Sequence, residues 1–328
     1  MKLGLPFLPL FALFPLFPIS LSFHLRIVQF NAEWLFMTPC ADNGCPWETA
    51  DEQMKHIDAI AQVIRELDPD IAHFCEVENI ETLNMVGNLS NPDYQSFLIK
   101  GKDTATGQNV GLLSKIPPAV PLYRTEERVP YPIPDSTCNY TGTPGTTGVS
   151  KHLITEYFLY DTAADTFIPI ALIGAHLLAF PTDTMRCAER EAQAQVLQNI
   201  VMSYIQKGYE IIVIGDLNDY DGEVLDINGH KPKSSVLSLL KGKAGSHKGE
   251  YDLYSVGDHI STSSRYSDWY DENSNCVSSS GEFSQIDHIL MTQSLYDRLL
   301  KVFMYQDYAQ ICGSYVSDHY PVVVDLYS

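Results

Sequence analysis

Asp318 and His319 stand side by side just before the apolar run Val322-Val323-Val324 and Leu326, and Pro321 bars helix at the run's entry. A carboxylate next to an imidazole at the mouth of a buried strand suits hydrolysis, in which one group holds a cation or a ring and the other moves a proton. Alone, the dipeptide fits equally well a loop aspartate that makes a turn and a histidine bonded to a neighbouring carbonyl.

The same kind of residue closes several other apolar runs. Glu210-Ile211-Ile212-Val213-Ile214-Gly215 leads into Asp216 and Asn218, which share one side of a strand because side chains repeat every second residue. Ile71 to Cys75 delivers Glu76, Ile170 to Ala175 delivers His176, and Leu25 to Phe30 delivers Asn31. Asp287 lies inside a further apolar strand spanning Ser284 to Leu290, where an unpaired charge would be costly. Each residue has a structural reading of its own, and a shared site explains all of them together.

The order of these segments resembles the endonuclease/exonuclease/phosphatase superfamily of metal-dependent phosphoesterases. That group includes deoxyribonuclease I, abasic-site endonucleases, inositol polyphosphate phosphatases and bacterial sphingomyelinases. The matching motifs are the opening strand with Asn31, Glu76, the strand ending at His176, Gly215-Asp216-Leu217-Asn218, the Asp287 strand and the closing Ser317-Asp318-His319. Gly107-Gln108-Asn109-Val110-Gly111 and Gly215 to Asp221 look most like secreted, extracellular nuclease members.

The residue types make chemical sense as a phosphodiesterase. The charge of a phosphodiester repels nucleophiles, so its hydrolysis needs a divalent cation, an activated water and a stabilised leaving oxygen. Mg2+ or Mn2+ prefers oxygen ligands, which places Glu76 first as metal ligand with Asp318 and Asn31 assisting. His319, oriented by Asp287, is the expected general base, and the resemblance leaves Asp216 as a competitor for that role. His176 would donate to phosphate or to the leaving oxygen, while Asp216 and Asn218 would hold nucleophile and scissile group. Lys151, at a strand start, and Asn109 are expected to contact substrate phosphate. Lys151 stands where many relatives carry Arg, a change that keeps the charge and loses bidentate geometry. Asp271 to Glu282 mimics calcium-loop spacing with Cys276 at the glycine position, so structural Ca2+ is a second metal expectation.

The chain has 328 residues, with 41 acidic against 21 basic side chains and a formal net charge of -20, which argues against broad basic capture of nucleic acid. Local binding of DNA or RNA with turnover is compatible with that charge. Residues 3–21 are Leu-, Phe- and Pro-rich, and Ser20-Leu21-Ser22 suggests cleavage of a signal peptide 1–22 ahead of one catalytic domain, 23–328. An uncleaved anchor is the alternative; the main expectation is a secreted monomer without a stable membrane partner. Cys75 reads as a free buried thiol, with pairs Cys40–Cys45, Cys138–Cys187 and Cys276–Cys312 among the fifteen arrangements of the other six. Asn88-Leu89-Ser90 and Asn139-Tyr140-Thr141 are glycosylation sequons.

Thr49 and Glu52 form a capping box ahead of an apolar stripe from Met54 to Leu67, and Arg186 to Lys207 carries a second stripe. Pro117 to Gly148 lacks periodicity and reads as a long surface loop. Strands that are nearly continuous apolar runs require sheets covered on both faces. The expected fold is therefore α/β, a four-layer sandwich of two packed mixed sheets flanked by helices, as the resemblance also implies. A lipid or small-molecule phosphoesterase, for which an aromatic cluster at Tyr266, Trp269 and Tyr270 would speak, and a catalytically silent binding protein are the alternatives.

Overall fold

The computed structural model describes residues 24–38, 40, 44–161, 164–308 and 313–327. The expected signal peptide and Cys312 lie outside the described residues. In chain order the strands are β1 (His24–Leu35), β2 (Ile71–Val77), β3 (Gln95–Ile99), β4 (Asn109–Ser114), β5 (Val129–Tyr131), β6 (Gly145–Thr147), β7 (Lys151–Asp161) and β8 (Thr166–His176). They continue as β9 (Glu210–Asp216), β10 (Tyr254–Ser255), β11 (Asp268–Trp269), β12 (Phe283–Ser284), β13 (Asp287–Met291), β14 (Leu299–Met304) and β15 (Val322–Tyr327). The main helices are α1 (Ala50–Leu67), α2 (Ile80–Ser90) and α3 (Thr184–Ile205).

Two mixed sheets carry the fold, one in the order β14-β15-β1-β2-β4-β3 and the other in the order β10-β13-β9-β8-β7. Alternation along the strands makes three cores. Val28, Phe30, Ala72 and Phe74 pack with Ile57, Ile60 and Ile64 of α1. Ile173, Val213 and Leu290 on the other outer face pack with Val196 and Leu197 of α3. Between the sheets, Ile27, Ile71, Leu112 and Val324 meet Leu172, Ile212, Ile214 and Ile289. Each such fully buried aliphatic side chain contributes about 1.5–3 kcal/mol relative to exposure. The result is the expected four layers.

Thr49 caps α1 with Glu52 as expected: its side chain accepts from the Glu52 amide, and Glu52 reaches back to the Thr49 amide. Helix α3 departs from a simple one-faced stripe, since Arg190, Glu191, Gln193 and Gln198 are buried as well. Two segments cover that side of the helix: the stretch 117–148, which is not all loop but forms the β5–β6 ribbon and is tied to α3 by the disulfide Cys138–Cys187, and the segment 235–246, whose backbone bonds Glu191 and Gln198. Cys40–Cys45 is the other expected pair, and Cys75 is free and buried. Cys276 is disulfide-bonded too. Asn88 and Asn139 are both exposed. No helix among the described residues is long and apolar enough to cross a membrane.

Gly215 sets how closely β9 can approach β8. A Cβ there would lie 1.8 Å from the Ala175 carbonyl oxygen, so only glycine lets the chain deliver Asp216 beside His176. Gly215→Ala is expected to cost about 3 kcal/mol, the upper end for overpacking, and to lower Tm by several degrees in a thermal melt. An unchanged melt would refute this close approach.

Candidate active site

One rung of the five-stranded sheet supplies four expected site residues. Lys151 of β7 pairs in register with His176 of β8, His176 with Asp216 of β9, and Asp216 with Asp287 of β13. The last three end strand faces that are apolar further down: Leu172 leads to His176, Ile212 and Ile214 to Asp216, and Ile289 to Asp287. Asp287 opens its strand rather than lying inside it, which places it at the top of the inter-sheet core.

The facing sheet supplies the rest. Asn31 donates from Nδ2 to Asp216 Oδ2 at 2.9 Å, and the same nitrogen lies 3.4 Å from both Glu76 Oε1 and His319 Nε2. Glu76 does not arrive by strand alternation, since its neighbour Phe74 but one faces the outer core; its left-handed φ of 65° turns it out of that row. Its carboxylate then accepts from the Trp34 amide at 3.0 Å and from Gln108 Nε2 at 2.8 Å. Glu33, Trp34 and Asn218 are left-handed too, so four non-glycine residues at this rim hold a conformation that side chains seldom adopt.

Ser317 anchors the Asp318-His319 loop. Its hydroxyl donates to the Asn31 carbonyl at 2.8 Å and accepts from the His319 amide at 3.0 Å. The His319 ring then hydrogen-bonds through Nδ1 to Asp287 Oδ2 at 2.7 Å, and Nε2 faces Asp268 Oδ1 at 3.5 Å and Asp318 Oδ1 at 3.8 Å. Burial works against a charged ring here, yet Asp287, Asp318 and Asp268 outweigh it and hold His319 well above its ordinary value. Burial and the facing Asp287 push Asp216 up to about 8. Burial likewise raises Asp318 to about 7, and raises Glu33, which also feels Asp318 and Glu76, well above the carboxylate range. His176, deeply buried and near Lys151, is held well below its ordinary value, so its ring is neutral. Its Nε2 lies 3.5 Å from Asp216 Oδ2.

Asn218 donates from its amide nitrogen to Asp216 Oδ1 and from its side chain to the Leu177 carbonyl, which fixes the turn after β9. Lys151 donates to Gln108 Oε1 at 3.1 Å and thereby extends the Gln108–Glu76 contact. Asn109 corrects an expectation. Its side chain donates to the carbonyls of Glu78 and Gly107 and accepts from the Gly101 amide, so it braces backbone, and its neighbour Gln108 is the residue that reaches the site. The calcium-like loop also departs from expectation: Asp271 accepts from the amides of Asn275 and Cys276, and Glu282 binds Asn273, Trp269 and the Ser279 amide. Those oxygens serve the loop's own turns.

Glu33, Gln108 and Asp268 were not singled out from sequence. Glu33 had one signal, its position two residues after Asn31; Gln108 and Asp268 sit in segments without periodicity. Asp216, Asp287 and His319 each present a ligand atom within 4.8 Å of the others, a spacing that could hold a metal. Asp287, however, is already bonded to His319, Ser267 and Gln29, and hard cations favour oxygen over imidazole. The carboxylates of Glu76, Glu33 and Asp318 are the all-oxygen alternative: burial chiefly, and then repulsion from neighbouring carboxylates, Glu76 among them, raises Glu33 and Asp318, and a divalent ion would relieve that repulsion.

A sandwich of two mixed sheets with this crowd of carboxylates and a carboxylate-held imidazole at one end defines a metal-dependent phosphoesterase. Residues 29–319 match the Endonuclease/Exonuclease/phosphatase family, and the chain belongs to it. Its fold is shared with truncated Caenorhabditis elegans TDP2, at 14% identity and a TM-score of 0.56, over 93% of this chain and 98% of that one. ANGEL2, a 2',3'-cyclic phosphatase, is similar at 14% identity and a TM-score of 0.55, over 93% and 95% of the two chains. The Xenopus laevis APE2 catalytic domain matches at 15% identity and a TM-score of 0.55, over 92% and 93%. Among curated protein sequences none matches.

Cation binding has to displace protons from the raised carboxylates. Below about 7 to 8 Asp318 and Asp216 are protonated in the cation-free fold, and above those values they ionise against burial and against their neighbours, Asp287 for Asp216 and Asp268 and Glu76 for Asp318. A carboxylate raised on folding stabilises the protein at low pH and loses that contribution as pH rises through its folded value. The cation-free Tm should therefore fall as pH rises through this window, and Mg2+ should restore it. Calorimetric Mg2+ affinity should weaken by roughly tenfold per pH unit for each proton displaced as pH falls below it. Affinity independent of pH would contradict this electrostatic account.

Proposed function

We propose that this chain is a secreted, divalent-metal-dependent phosphodiesterase that cleaves nucleic acid internally. The observation that carries the reading is the convergence of the Lys151-His176-Asp216-Asp287 rung on Asn31, Glu76 and His319. Glu76, Asp318 and the neighbouring Glu33 would hold Mg2+ or Mn2+, with the Asn31 carboxamide at hand. Such an ion supplies charge neutralisation at a non-bridging phosphate oxygen and lowers the field of the surrounding carboxylates.

The protein's own groups do the rest. A cation held by Asp318 would cancel part of the negative field that keeps the His319 ring charged, and the neutral ring's Nε2 would then accept the proton of the attacking water while Asp287 holds the ring through Nδ1. The water oxygen bonds to phosphorus, the ester P–O bond breaks, and the leaving oxygen takes a proton from solvent with His176 beside it, while the proton on His319 is returned to solvent. Asn31 and Asn218 fix Asp216, whose raised proton affinity makes it the competing base. Lys151 offers positive charge to the phosphate.

A polynucleotide is favoured by what adjoins Lys151. Lys102, Arg124 and Arg128 line a groove of about 300 Å³ that includes Ser150, and Glu126, which pairs with Lys102, lines it too, as do Glu127 and Glu189. Three carboxylates balance the three cations of that lining, so the support is the presence of guanidinium and ammonium donors next to Lys151 and not a positive field. The lipid alternative loses support, because Trp269 is buried, Tyr266 stacks on Phe283, and only Tyr270 of that cluster is exposed. Extracellular location accords with the disulfides and the apolar leader.

Supercoiled plasmid should be nicked with Mg2+ and left intact with EDTA, and His319→Ala should lower the rate by roughly 10²–10⁴-fold. Near-full turnover by that variant would remove His319 from the reaction and leave Asp216 as base. Absence of nicking together with hydrolysis of RNA, sphingomyelin or phosphomonoesters would move the substrate class. Arg124→Gln should raise KM for polynucleotide severalfold and flatten its salt dependence, with a small phosphodiester unaffected; equal effects on both substrates would exclude the groove as a phosphate track.

A further inference from the structure

Beneath the rung lies a polar chain that the reaction does not touch. Gln29 of β1 and His73 of β2 are in register with each other on the face that looks between the sheets, and neither has any exposed surface. Their neighbours on that face are Ile27 and Ile71, members of the inter-sheet core. Packing alone would be served there by leucine or isoleucine, and two polar side chains carry a desolvation cost.

The bonds give them a direction. His73 Nδ1 lies 2.6 Å from Gln29 Oε1, and Gln29 Nε2 donates to Asp287 Oδ1 at 3.0 Å. The other Asp287 oxygen accepts from Ser267 Oγ at 2.9 Å and meets His319 Nδ1 at 2.7 Å. The carboxamide oxygen of Gln29 can only accept, so His73 carries its proton on Nδ1. Burial holds the His73 ring neutral, its value lowered to about 3. The opposite arrangement would turn the Gln29 oxygen onto the Asp287 carboxylate and move the His73 proton to Nε2. That nitrogen has no partner among the described residues and abuts Gly174, where a Cβ would come within 2.4 Å of it. Repulsion and a stranded N–H both disfavour that alternative.

We infer that Gln29 and His73 are positioning residues: His73 fixes which end of the Gln29 amide faces Asp287, and Gln29 fixes the carboxylate that orients His319. No proton passes along the chain. Its members hold one oxygen of Asp287 from the opposite sheet so that the other is aimed at the imidazole. The inference rests on the reading of His319 and Asp287 as the working pair.

The test compares His73→Leu, Gln29→Met, His73→Asn and Asp287→Ala in hydrolysis of a fluorogenic oligonucleotide with Mg2+. Thermal melts and the low-field proton resonance of the His319 Nδ1–H accompany the kinetics. His73→Leu and Gln29→Met should lower kcat roughly 10- to 100-fold, the usual effect of losing a group that orients a reacting one, with KM little changed. Both should shift or broaden the low-field resonance. His73→Asn can place an amide N–H near the lost Nδ1–H and should recover most of kcat. Loss of kcat in Asp287→Ala with full kcat in folded His73→Leu and Gln29→Met would overturn the inference. Full activity in Asp287→Ala would instead remove the pair on which it rests. If His73→Leu does not fold, Gln29→Met and His73→Asn decide: a loss in the first and recovery in the second sustain the inference, and equal loss in both overturns it.

Discussion

Two aspartates face each other directly across β9 and β13, an arrangement that pairs like charges at the closest spacing a sheet allows. The surrounding structure answers that conflict. Asn31 donates to Asp216, while Gln29, Ser267 and His319 gather around Asp287. The two sheets are thus joined at the site by hydrogen bonds to carboxylates and, below it, by aliphatic packing. The hydrogen bonds that shape the candidate site therefore also help to set the spacing of the two sheets.

The strand ends were legible because two simple rules coincide there. A buried strand reads as an apolar run, and alternation tells which polar residue at its end shares the inward face; His176, Asp216 and Asn31 follow directly. Glu76 was found for a different reason than the one that places it, since its left-handed backbone overrides alternation. Asp318 and His319 were legible as residue types, while the Ser317 bonds that hold them to β1 were not.

What stayed hidden depends on contacts across the sandwich. Gln29 and His73 look, in sequence, like polar interruptions of two hydrophobic strands, and nothing local joins them to Asp287, which lies 258 residues beyond Gln29. Gln108 and Asn109 are adjacent, so choosing the wrong one is a one-residue error that reverses which side of the strand is in question. Asp268 reaches His319 through an isolated bridge between irregular segments, and such a bridge has no periodicity to read. The pairs Cys40–Cys45 and Cys138–Cys187 are present as expected, although the sequence alone offered fifteen arrangements and no rule to choose among them.

Cys75 lies on the same inward face, within 3.6 Å of Gln29 Nε2, and burial together with Asp216 keeps its thiol protonated. Reagent can reach it only when the two sheets separate. This single sulfur is therefore a native gauge of breathing at the catalytic floor: its alkylation rate reads the free energy of that local opening without any introduced label.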